Sequence, residues 1–586
     1  MNSEKLREKF LKFFKRKNHT IVSSSSLIPR DHSVLLTTAG MQQFKNYYLR
    51  GNSPFGKNVA SCQKCFRTSD IEEVGDERHL TFFEMLGNFS FGGYFKEKAI
   101  ELAFEFLVSE LKLEKEKIWI TIFKGDENIP PDEKSLKIWR KLGIKKEKIF
   151  SFSKKDNFWG PTGKEGPCGP TTEIHFQVRK EPCQRKEKCL PNCECGRFIE
   201  IWNLVFNEYY QKEDGKLVPL EPKGVDTGMG LERLAMIIQK KFNVFETDLF
   251  SPIIEELRKK EKERKNIKAE RIISDHIKGS VFLISEGILP SNIERGYVLR
   301  RILRRTIKYG KILNLSENFF IPLIKKVIEI YRNVYPELKL KEEEILTVFL
   351  NEKEKFEKTL NLGLKQFEKI SKKGEISGRE AFHLLDTYGF PLELTLELAK
   401  ERNLKVDLEG FKEAFERHRE VSRARAEKKF GGFEKRPSFE MVKLHTACHL
   451  LLASLRKILG NHVRQMGSDI TSERLRLDFS HPKKLTKEEI EKIENLVNKK
   501  IKENLEVKKE EMSLKEALKS GALAFFKEKY PERVTVYSIG DFSKEVCRGP
   551  HVKNTSQLGH FKIIKEESVG ANVRRIRAIL KKNLIK

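Results

Sequence analysis

The 586-residue sequence lacks any apolar stretch of the length that crosses a bilayer, which is about 18 to 20 residues. Its start, MNSEKLREKF, carries charges with no apolar segment behind them, so it does not look like an export signal. Nine cysteines are an odd number in a lysine-rich chain, which argues against a disulfide framework. These absences predict a soluble, unexported protein of the cytoplasm with no membrane partner.

Positive charge outweighs negative charge in this chain. Lysine and arginine number 114 against 85 aspartate and glutamate residues, which leaves a formal charge of +29. Such an excess favours association with a polyanion, namely a large RNA, a phosphate-rich ligand or an anionic membrane. The alternative is that the lysine-rich runs only form a solvated surface.

The pattern of apolar residues divides the chain into three regions, close to the prior of about three or four domains for this length. Residues 1–245 alternate β-rich runs, such as SVLLTTAG and EIWNLVFNEYY, with helical stretches. Residues 246–436 are predicted to be helical, because apolar positions recur near a spacing of 3.6. EKKFGGFEKRPS has the composition of a linker, and residues 437–586 combine a helix with alternating runs. The predicted fold class is a multidomain α+β protein.

Two arginines of the first region stand in contexts suited to phosphate binding. Arg67 follows an aromatic residue in CQKCFRTSD, and His79 and Phe83 come soon after it in HLTFF. A guanidinium makes bidentate contacts to phosphate, and an aromatic ring can stack on a nucleobase. Arg233 follows the glycines of GVDTGMGLERLAMII, which allow close backbone approach before a predicted helix. Each segment taken alone is more often an ordinary turn.

Histidine and cysteine recur at metal-ligand spacing in the last region. HTACHLL places His445 and His449 four positions apart, so both imidazoles project from one face of a predicted helix. Cys547 and His551 follow as C-x3-H, with a turn-forming Gly-Pro pair between them. Three nitrogens and one sulfur suit tetrahedral Zn²⁺. A lone H-x3-H pair is more often ordinary helix surface, and the glutamate of the metalloprotease motif is replaced by Thr446.

A second cysteine cluster lies in the first region, in EPCQRKEKCLPNCECGRF. Its spacing is C-x5-C-x3-C-x-C, formed by Cys183, Cys189, Cys193 and Cys195. Four thiolates at short spacings around Pro and Gly suit a structural zinc. The alternative is a turn with unligated thiols.

The segment SNIERGYVLRRILRRTIKYG is predicted to form a helix with one basic and one apolar face. Arg300, Arg304 and Lys308 recur every four positions on the basic face. Such a helix can lie along an RNA backbone, although a solvated basic face without a partner fits the same pattern.

Several longer strings add a family resemblance to these patterns. TTAGMQQFK, HLTFFEMLGNFSFGGYFK, EIWNLVF, VDTGMGLERLA, LPSNIERGYVLRRILRR, DTYGFPLEL and HTACHLL with its C-x3-H partner resemble alanyl-tRNA synthetases, a family of class II aminoacyl-tRNA synthetases. The resemblance runs in the family's order along essentially the whole chain. It implies an antiparallel sheet of six or seven strands flanked by helices, with alanine, ATP accompanied by Mg²⁺, and tRNA(Ala) as substrates.

The resemblance implies an ATP site and an alanine pocket in the first region. ATP would contact Arg67 at the α-phosphate, Phe83 at the adenine face, His79 beside it, and Arg233 at the γ-phosphate. Alanine would contact Trp159, Asn203, Val205, Asp226 and Gly228, with Asp226 paired to the α-ammonium. Trp159 and Val205 also fit ordinary core positions. Two departures from the family concern the local loops, the run GPTGKEGPCGPTTEI after Trp159 and Ser69 in place of an acidic residue.

Further positions implied by the resemblance concern tRNA. Asn292 and Asp386 match residues that read the G·U wobble pair of the acceptor stem, beside the basic helix. Gln465 matches an editing-pocket residue near the zinc ligands, where mischarged seryl- and glycyl-tRNA would be hydrolysed. Arg548, Gly549 and Pro550 replace the family's small residues between Cys547 and His551.

Three rival interpretations remain open at this stage. They are a non-catalytic RNA-binding protein on a synthetase scaffold, a zinc hydrolase, and a free-standing editing factor. Intact Arg67, Asp226 and Arg233 argue against the first, Thr446 against the second, and residues 1–430 against the third. The family's usual C-terminal dimerisation segment does not follow ESVGANVRRIRAILKKNLIK, so a monomer is predicted.

Overall fold

The computed structural model describes residues 1–30, 34–51, 53–181, 183, 189–259, 266–417, 437–524, 531–570 and 573–581. The chain forms two compact units. One comprises Met1–Lys372 with Leu384–Arg402, and the other comprises Lys373–His383 with Asn403–Lys586. Most of the predicted linker lies outside the described residues, and the division into three domains stays a prediction.

A nine-stranded sheet forms the centre of the first unit. Its strands are β1 Thr20–Ile21, β2 Asn58–Phe66, β3 Phe82–Phe91, β4 Ile118–Phe123, β5 Ile149–Phe152, β6 Phe158–Trp159, β7 Gly166–Gln177, β8 Phe198–Gln211 and β9 Leu217–Gly230. The order is β1-β2-β3-β9-β8-β7-β4-β5, and β6 pairs with β7 off this path. The pairs β1–β2 and β4–β5 are parallel, whereas the pairs between β2 and β4 along the path are antiparallel. The expected antiparallel sheet is therefore present, extended at both ends by a parallel edge strand.

The run SVLLTTAG does not form the predicted strand. Residues 34–36 are bends, and a short 3-10 helix follows at Gly40–Phe44. Thr37 donates its backbone N–H to Leu27 O and its hydroxyl to Ser26 O, and the Gln42 side chain accepts from the backbone of Thr38. Local side-chain and loop partners thus satisfy groups that a strand ladder would otherwise use.

The helices of the first unit cover the sheet and extend beyond it. They are α1 Ser3–Arg16, α2 Lys45–Arg50, α3 Lys96–Phe104, α4 Glu133–Lys141, α5 Lys154–Asn157, α6 Leu231–Ile238, α7 Ser251–Arg258, α8 Ile267–Ser285, α9 Glu294–Ile312, α10 Phe320–Tyr331, α11 Glu337–Leu340 and α12 Glu342–Ser371. Two more, α13 Gly378–Tyr388 and α14 Leu392–Glu401, follow in the chain. The prediction that the region after residue 245 is almost entirely helical is confirmed over its described residues, apart from the short strands Glu375–Ile376 and Lys405–Val406.

Aromatic side chains join the helices to the sheet in the first unit. Phe10 of α1 packs on Phe106 and Trp202, with ring centroids 5.3 and 5.9 Å away. Phe82 of β3 stacks on Phe282 of α8 at 3.8 Å. These large buried rings remove extensive apolar area from water, and they hold β3 and β8 in place beneath the cavity described below.

The second unit contains a four-stranded sheet in the order β12-β13-β18-β17 and a three-stranded sheet in the order β14-β15-β16. The strands are β12 Gln465–Ile470, β13 Leu475–Ser480, β14 Val507–Ser513, β15 Arg533–Ile539, β16 Ser543–Val546, β17 His560–Gly570 and β18 Val573–Lys581, and a short pair is formed by β10 Glu375–Ile376 and β11 Lys405–Val406. Its helices after the linker are α15 Phe439–Leu459, α16 Lys487–Lys502 and α17 Leu514–Lys519. The predicted α+β composition of the last region is confirmed.

Within the described residues, no helix combines the length and the apolar character that a membrane crossing requires.

Candidate active site and candidate metal centres

A cavity of about 250 Å³ opens over β3, β7, β8 and β9 in the first unit. It brings together all nine residues that the sequence assigns to ATP and alanine: Arg67, His79, Phe83, Trp159, Asn203, Val205, Asp226, Gly228 and Arg233. They come from segments as far apart as residues 67 and 233, so the fold, and not local sequence, makes them neighbours.

Strand pairing sets the alanine side of this cavity. Asn203 lies opposite Gly228 and Val205 lies opposite Asp226 in the β8–β9 ladder. Residues two apart on a strand share a face, so these four positions form one patch. A Cβ atom at Gly228 would lie 2.8 Å from Met85 Sδ, so any larger residue there would displace the Met85 side chain.

Asp226 contributes a buried carboxyl to the alanine side of the cavity. Its residue is 5% exposed, and burial raises the pKa of its carboxyl to about 7. A desolvated carboxylate strongly prefers a cationic partner over an empty apolar environment. The site is therefore suited to a small molecule with an ammonium group.

The ATP side of the cavity presents two guanidiniums. Arg67 lies just after β2, and its guanidinium carbon is 5.1 Å from the centre of the Phe83 ring on β3. Arg233 is the third residue of α6, and its Nη1 donates to Glu200 O at 3.2 Å and to Glu200 Oε2 at 3.1 Å. Both cations face a cavity that can hold a nucleotide phosphate.

His79 is held by a carboxylate of its own loop. The Asp76 side chain accepts from the backbone N–H of His79 at 2.8 Å and lies 2.6 Å from His79 Nδ1. Burial raises the pKa of Asp76, but these hydrogen bonds outweigh it and bring the value to about 2. The ionised Asp76 therefore fixes the orientation of the His79 ring.

Four further acidic residues line the cavity without having been predicted from the sequence, namely Asp70, Glu173, Glu200 and Glu232. Glu173 accepts from Asn203 Nδ2 at 3.1 Å, and Glu200 anchors Arg233. Burial raises the pKa of Glu200, but the charge of Arg233 opposes this and the net shift is downward. A charged residue within the apolar run EIWNLVF was a usable signal. The direction of the Glu200 side chain could not be predicted, because a bulge between Ile174 and His175 shifts the β7–β8 register at this point.

A group of four potential ligands lies in the second unit. His445 and His449 are one turn apart on α15, and Cys547 and His551 follow β16. One ligand atom from each residue lies within 4.8 Å of all the others, and Cys547 Sγ is 3.3 Å from His445 Nε2. Three imidazoles and a thiol are a donor set that tetrahedral Zn²⁺ accepts.

Each imidazole of this group is oriented through its Nδ1 atom. His445 Nδ1 lies 3.2 Å from Pro550 O, and His449 Nδ1 lies 3.1 Å from Glu545 Oε2. His551 Nδ1 lies 3.1 Å from the Thr446 hydroxyl, while its buried Nε2 has no hydrogen-bond partner within the described structure. The three Nε2 atoms and the thiol are thus directed to one point, which fits a metal ion with an ordered outer shell.

The thiol of Cys547 is prepared for ligation. Burial raises its pKa, but hydrogen bonds from the His445 and His449 imidazoles and the charge of His449 outweigh burial and hold the pKa well below its usual range. A thiolate is the form that binds metal. Pro550 supplies the carbonyl that orients His445.

Gln465, the predicted editing-pocket residue, begins β12. Its Nε2 donates to Ser468 Oγ at 3.1 Å, and the β12–β13 register shifts between Gln465 and Gly467. A role for Gln465 beside the four ligands stays a prediction.

The predicted tRNA contacts lie in the first unit, around a buried carboxylate. Asn292 and Asp386 are both exposed. Arg300 and Arg304 are more engaged than expected, because their Nε atoms lie 3.1 and 2.9 Å from Glu352 Oε1.

The same two arginines reach the segments that carry the predicted readers. Arg300 also donates to the Asn292 side chain, and Arg304 Nη1 donates to Gly389 O, three residues after Asp386, at 3.1 Å. Glu352 is 3% exposed. Through its ion pairs with Arg300 and Arg304 of α9, it connects the segment that carries Asn292 with the segment that carries Asp386. Direct contacts of these arginines with RNA stay a prediction.

Comparisons with known proteins show which proteins the chain is similar to. A model described as "tRNA synthetases class II (A)" matches residues 5–453, and one described as "Threonyl and Alanyl tRNA synthetase second additional domain" matches residues 534–577. The chain is 48% identical to an alanine–tRNA ligase of Borrelia hermsii, over 99% of this chain and all of that protein.

Two further relatives carry the same name. An alanine–tRNA ligase of Treponema pallidum is 46% identical over 100% of this chain and 99% of its own length. One of Dehalococcoides mccartyi is 38% identical over 99% of this chain and 80% of its own length. The matched strings, the class II sheet and the whole-length relatives lead to one conclusion: the chain belongs to the alanyl-tRNA synthetase family of class II aminoacyl-tRNA synthetases.

Proposed function

We propose that this protein activates alanine with ATP, transfers it to the 3′ end of tRNA(Ala), and hydrolyses mischarged tRNA at a separate zinc site. The observation that carries the first part is the convergence of Asp226, Arg67 and Arg233 on one small cavity. The second part is supported by the four ligands of the second unit and by the matched second additional domain.

Adenylate formation needs positioning and charge neutralisation more than it needs a proton-transfer group. The alanine carboxylate attacks the α-phosphorus of ATP, and pyrophosphate leaves with the charge that develops on it. In our proposal Arg67 contacts the α-phosphate, Arg233 contacts the γ-phosphate, and Phe83 stacks on adenine. Mg²⁺ enters with ATP and shares the neutralisation of the triphosphate.

The alanine pocket is proposed to select by size and charge. Asp226 pairs with the ammonium group, Asn203 provides a polar wall, and Trp159 and Val205 limit the space for the side chain. Such a pocket excludes larger side chains by overlap. It discriminates weakly against glycine or serine, because one methyl or hydroxyl group changes binding by only about 1 to 3 kcal/mol.

That weak discrimination gives the second site its purpose. His445, His449 and His551 would hold Zn²⁺ through Nε2, and Cys547 would hold it through Sγ. A bound zinc would supply a fixed cationic centre that orders the pocket around the terminal ribose of the tRNA. Water would attack the ester carbonyl of seryl- or glycyl-tRNA and release the amino acid and the free ribose hydroxyl, with Gln465 as a proposed pocket residue.

Recognition of the tRNA is proposed to depend on Asn292 and Asp386. Polar side chains in the shallow minor groove of an RNA helix can sense the exocyclic amino group of a G·U pair. Base-edge contacts specify, whereas contacts from basic side chains to phosphate only position. A monomeric state and a cytoplasmic location accompany this proposal as predictions.

Asp226→Asn tests the alanine pocket. We expect kcat/KM for alanine in ATP–pyrophosphate exchange to fall by roughly 150- to 5,000-fold, because losing one partner of a buried ion pair costs about 3 to 5 kcal/mol. The KM for ATP should change little. Asp214→Asn, in the exposed turn between β8 and β9, is the matched control. Near-normal exchange by Asp226→Asn would rule out this pocket.

Glu352→Gln tests the support of the tRNA-reading segments. Without the charge that holds Arg300 and Arg304, we expect kcat/KM for tRNA to fall about tenfold, or about 1.4 kcal/mol. Preference for a G·U over a G·C acceptor stem should narrow, while alanine-dependent pyrophosphate exchange stays unchanged. Glu354→Gln, exposed on the same helix, is the control. If Glu352→Gln charges tRNA at the wild-type rate and keeps the wild-type preference for the G·U stem, the positioning role of Glu352 is wrong. If the wild-type enzyme charges the G·U and G·C stems equally, the proposed roles of Asn292 and Asp386 are wrong.

Cys547→Ala tests the editing site. We expect loss of one zinc per chain and of seryl-tRNA deacylation, because three imidazoles alone leave the metal site incomplete. Alanine activation should persist, since the aminoacylation cavity lies in the other unit. Cys448→Ala, a core thiol on α15, should retain the metal. Deacylation at the parental rate by Cys547→Ala would defeat the assignment.

A further inference from the structure

The four cysteines between β7 and β8 form a compact cluster in the structure, which we call the cysteine knuckle (Cys183, Cys189, Cys193 and Cys195). Their sulfurs all lie within 4.8 Å of one another. Cys183 Sγ is 3.7 Å from Cys193 Sγ, and Cys189 Sγ is 3.4 Å from Cys195 Sγ. The backbone N–H of Val178 donates to Arg197 O at 2.9 Å and closes the base of the knuckle.

These distances fit a metal better than they fit disulfides. Four sulfurs at about 2.3 Å from a tetrahedral Zn²⁺ are about 3.8 Å apart, whereas a disulfide requires about 2.05 Å. The two measured separations of 3.7 and 3.4 Å lie near the tetrahedral value. Unligated thiols would have no reason to converge in this way from positions up to twelve residues apart.

The knuckle also forms part of the wall beside the active site. Residues 191–194, which include Cys193 of the knuckle, line a second cavity of about 310 Å³. That cavity shares five residues with the aminoacylation cavity: Arg78, His79, Glu173, Glu200 and Arg233. The shared residues include the proposed γ-phosphate arginine, so the knuckle lies at the triphosphate end of the nucleotide site.

A second contact joins the knuckle to the loop that carries His79. Arg179 Nη2 donates to Glu77 Oε2 at 2.6 Å, and Glu77 is two residues before His79. Gly196 packs against the same pair, since a Cβ atom there would lie 3.5 Å from Glu77 Oε2 and 3.8 Å from Arg179 Nη1. A displacement of the knuckle would therefore shift Glu77 and the neighbouring residues Arg78 and His79.

We propose that Cys183, Cys189, Cys193 and Cys195 bind one Zn²⁺, and that this ion holds residues 190–194 as a wall at the triphosphate end of the ATP cavity. The metal assignment stands on the sulfur geometry alone. The effect on ATP rests on the proposed adenylate-forming function. The ion is structural, because four protein ligands leave no open position for substrate.

Metal analysis tests the first part. Wild-type protein should contain about two zinc ions per chain, Cys193→Ser about one, Cys547→Ala about one, and the double variant none. Cys168→Ala, which removes a buried thiol of β7 outside the knuckle, should retain both ions. Cobalt substituted into Cys547→Ala should give the absorption bands of a tetrathiolate site. Two zinc ions in Cys193→Ser, or iron in place of zinc in the wild-type knuckle, would overturn the assignment.

Pyrophosphate exchange tests the second part. In Cys193→Ser we expect the KM for ATP to rise about fivefold or more, with the KM for alanine nearly constant, because the knuckle borders the phosphate end of the cavity. Circular dichroism and seryl-tRNA deacylation should match the wild type, which separates a local effect from misfolding. If Cys189→Ser and Cys193→Ser both lose one zinc and keep the parental KM for ATP, the wall role is wrong. Absence of alanine-dependent exchange in the wild-type protein would instead overturn the proposed function and leave the metal counts as the test of the knuckle.

Discussion

The burial of one carboxylate, Asp226, is the constraint on which the rest of the aminoacylation site depends. Burial alone raises its pKa to about 7, so without a cationic partner the Asp226 carboxyl is partly protonated near neutral pH. A substrate ammonium makes the ionised form favourable, and neighbouring strands must hold the carboxylate out of water for that preference to matter. The β8–β9 register, the contact of Gly228 with Met85 and the aromatic core beneath the sheet all serve this placement.

Several charged or polar side chains of the proposed sites are held in position by a neighbouring carboxylate. Glu200 fixes Arg233, Asp76 fixes His79, and Glu352 fixes two arginines of α9. The three histidines of the candidate zinc site follow the same rule, because the Nδ1 atoms of His445, His449 and His551 each have an oxygen partner. Pre-oriented groups lose little entropy on binding, which is how a site with few residues gains specificity.

The sequence was enough to predict the ligands and the cavity residues where long strings matched a family, as with VDTGMGLERLA and HTACHLL. It did not predict residues whose side-chain direction or backbone conformation is set by contacts with distant segments. Glu200 reaches the cavity beside a bulge, Glu352 looks like one more charge on a long helix, and SVLLTTAG is β-rich in composition but finds loop partners. Local propensity cannot decide such cases, because distant segments supply the competing hydrogen bonds.

The most direct test of this account is calorimetric titration of alanine into the wild-type enzyme in buffers of different protonation enthalpy. Pairing with an ammonium lowers the pKa of Asp226, so binding must release protons, with about half a proton per alanine at pH 7, more at pH 6 and almost none well above pH 8. Alanine affinity should rise with pH over the same range. Binding without proton release between pH 6 and 8 would show that alanine does not meet a desolvated, partly protonated carboxyl, and would contradict the central claim.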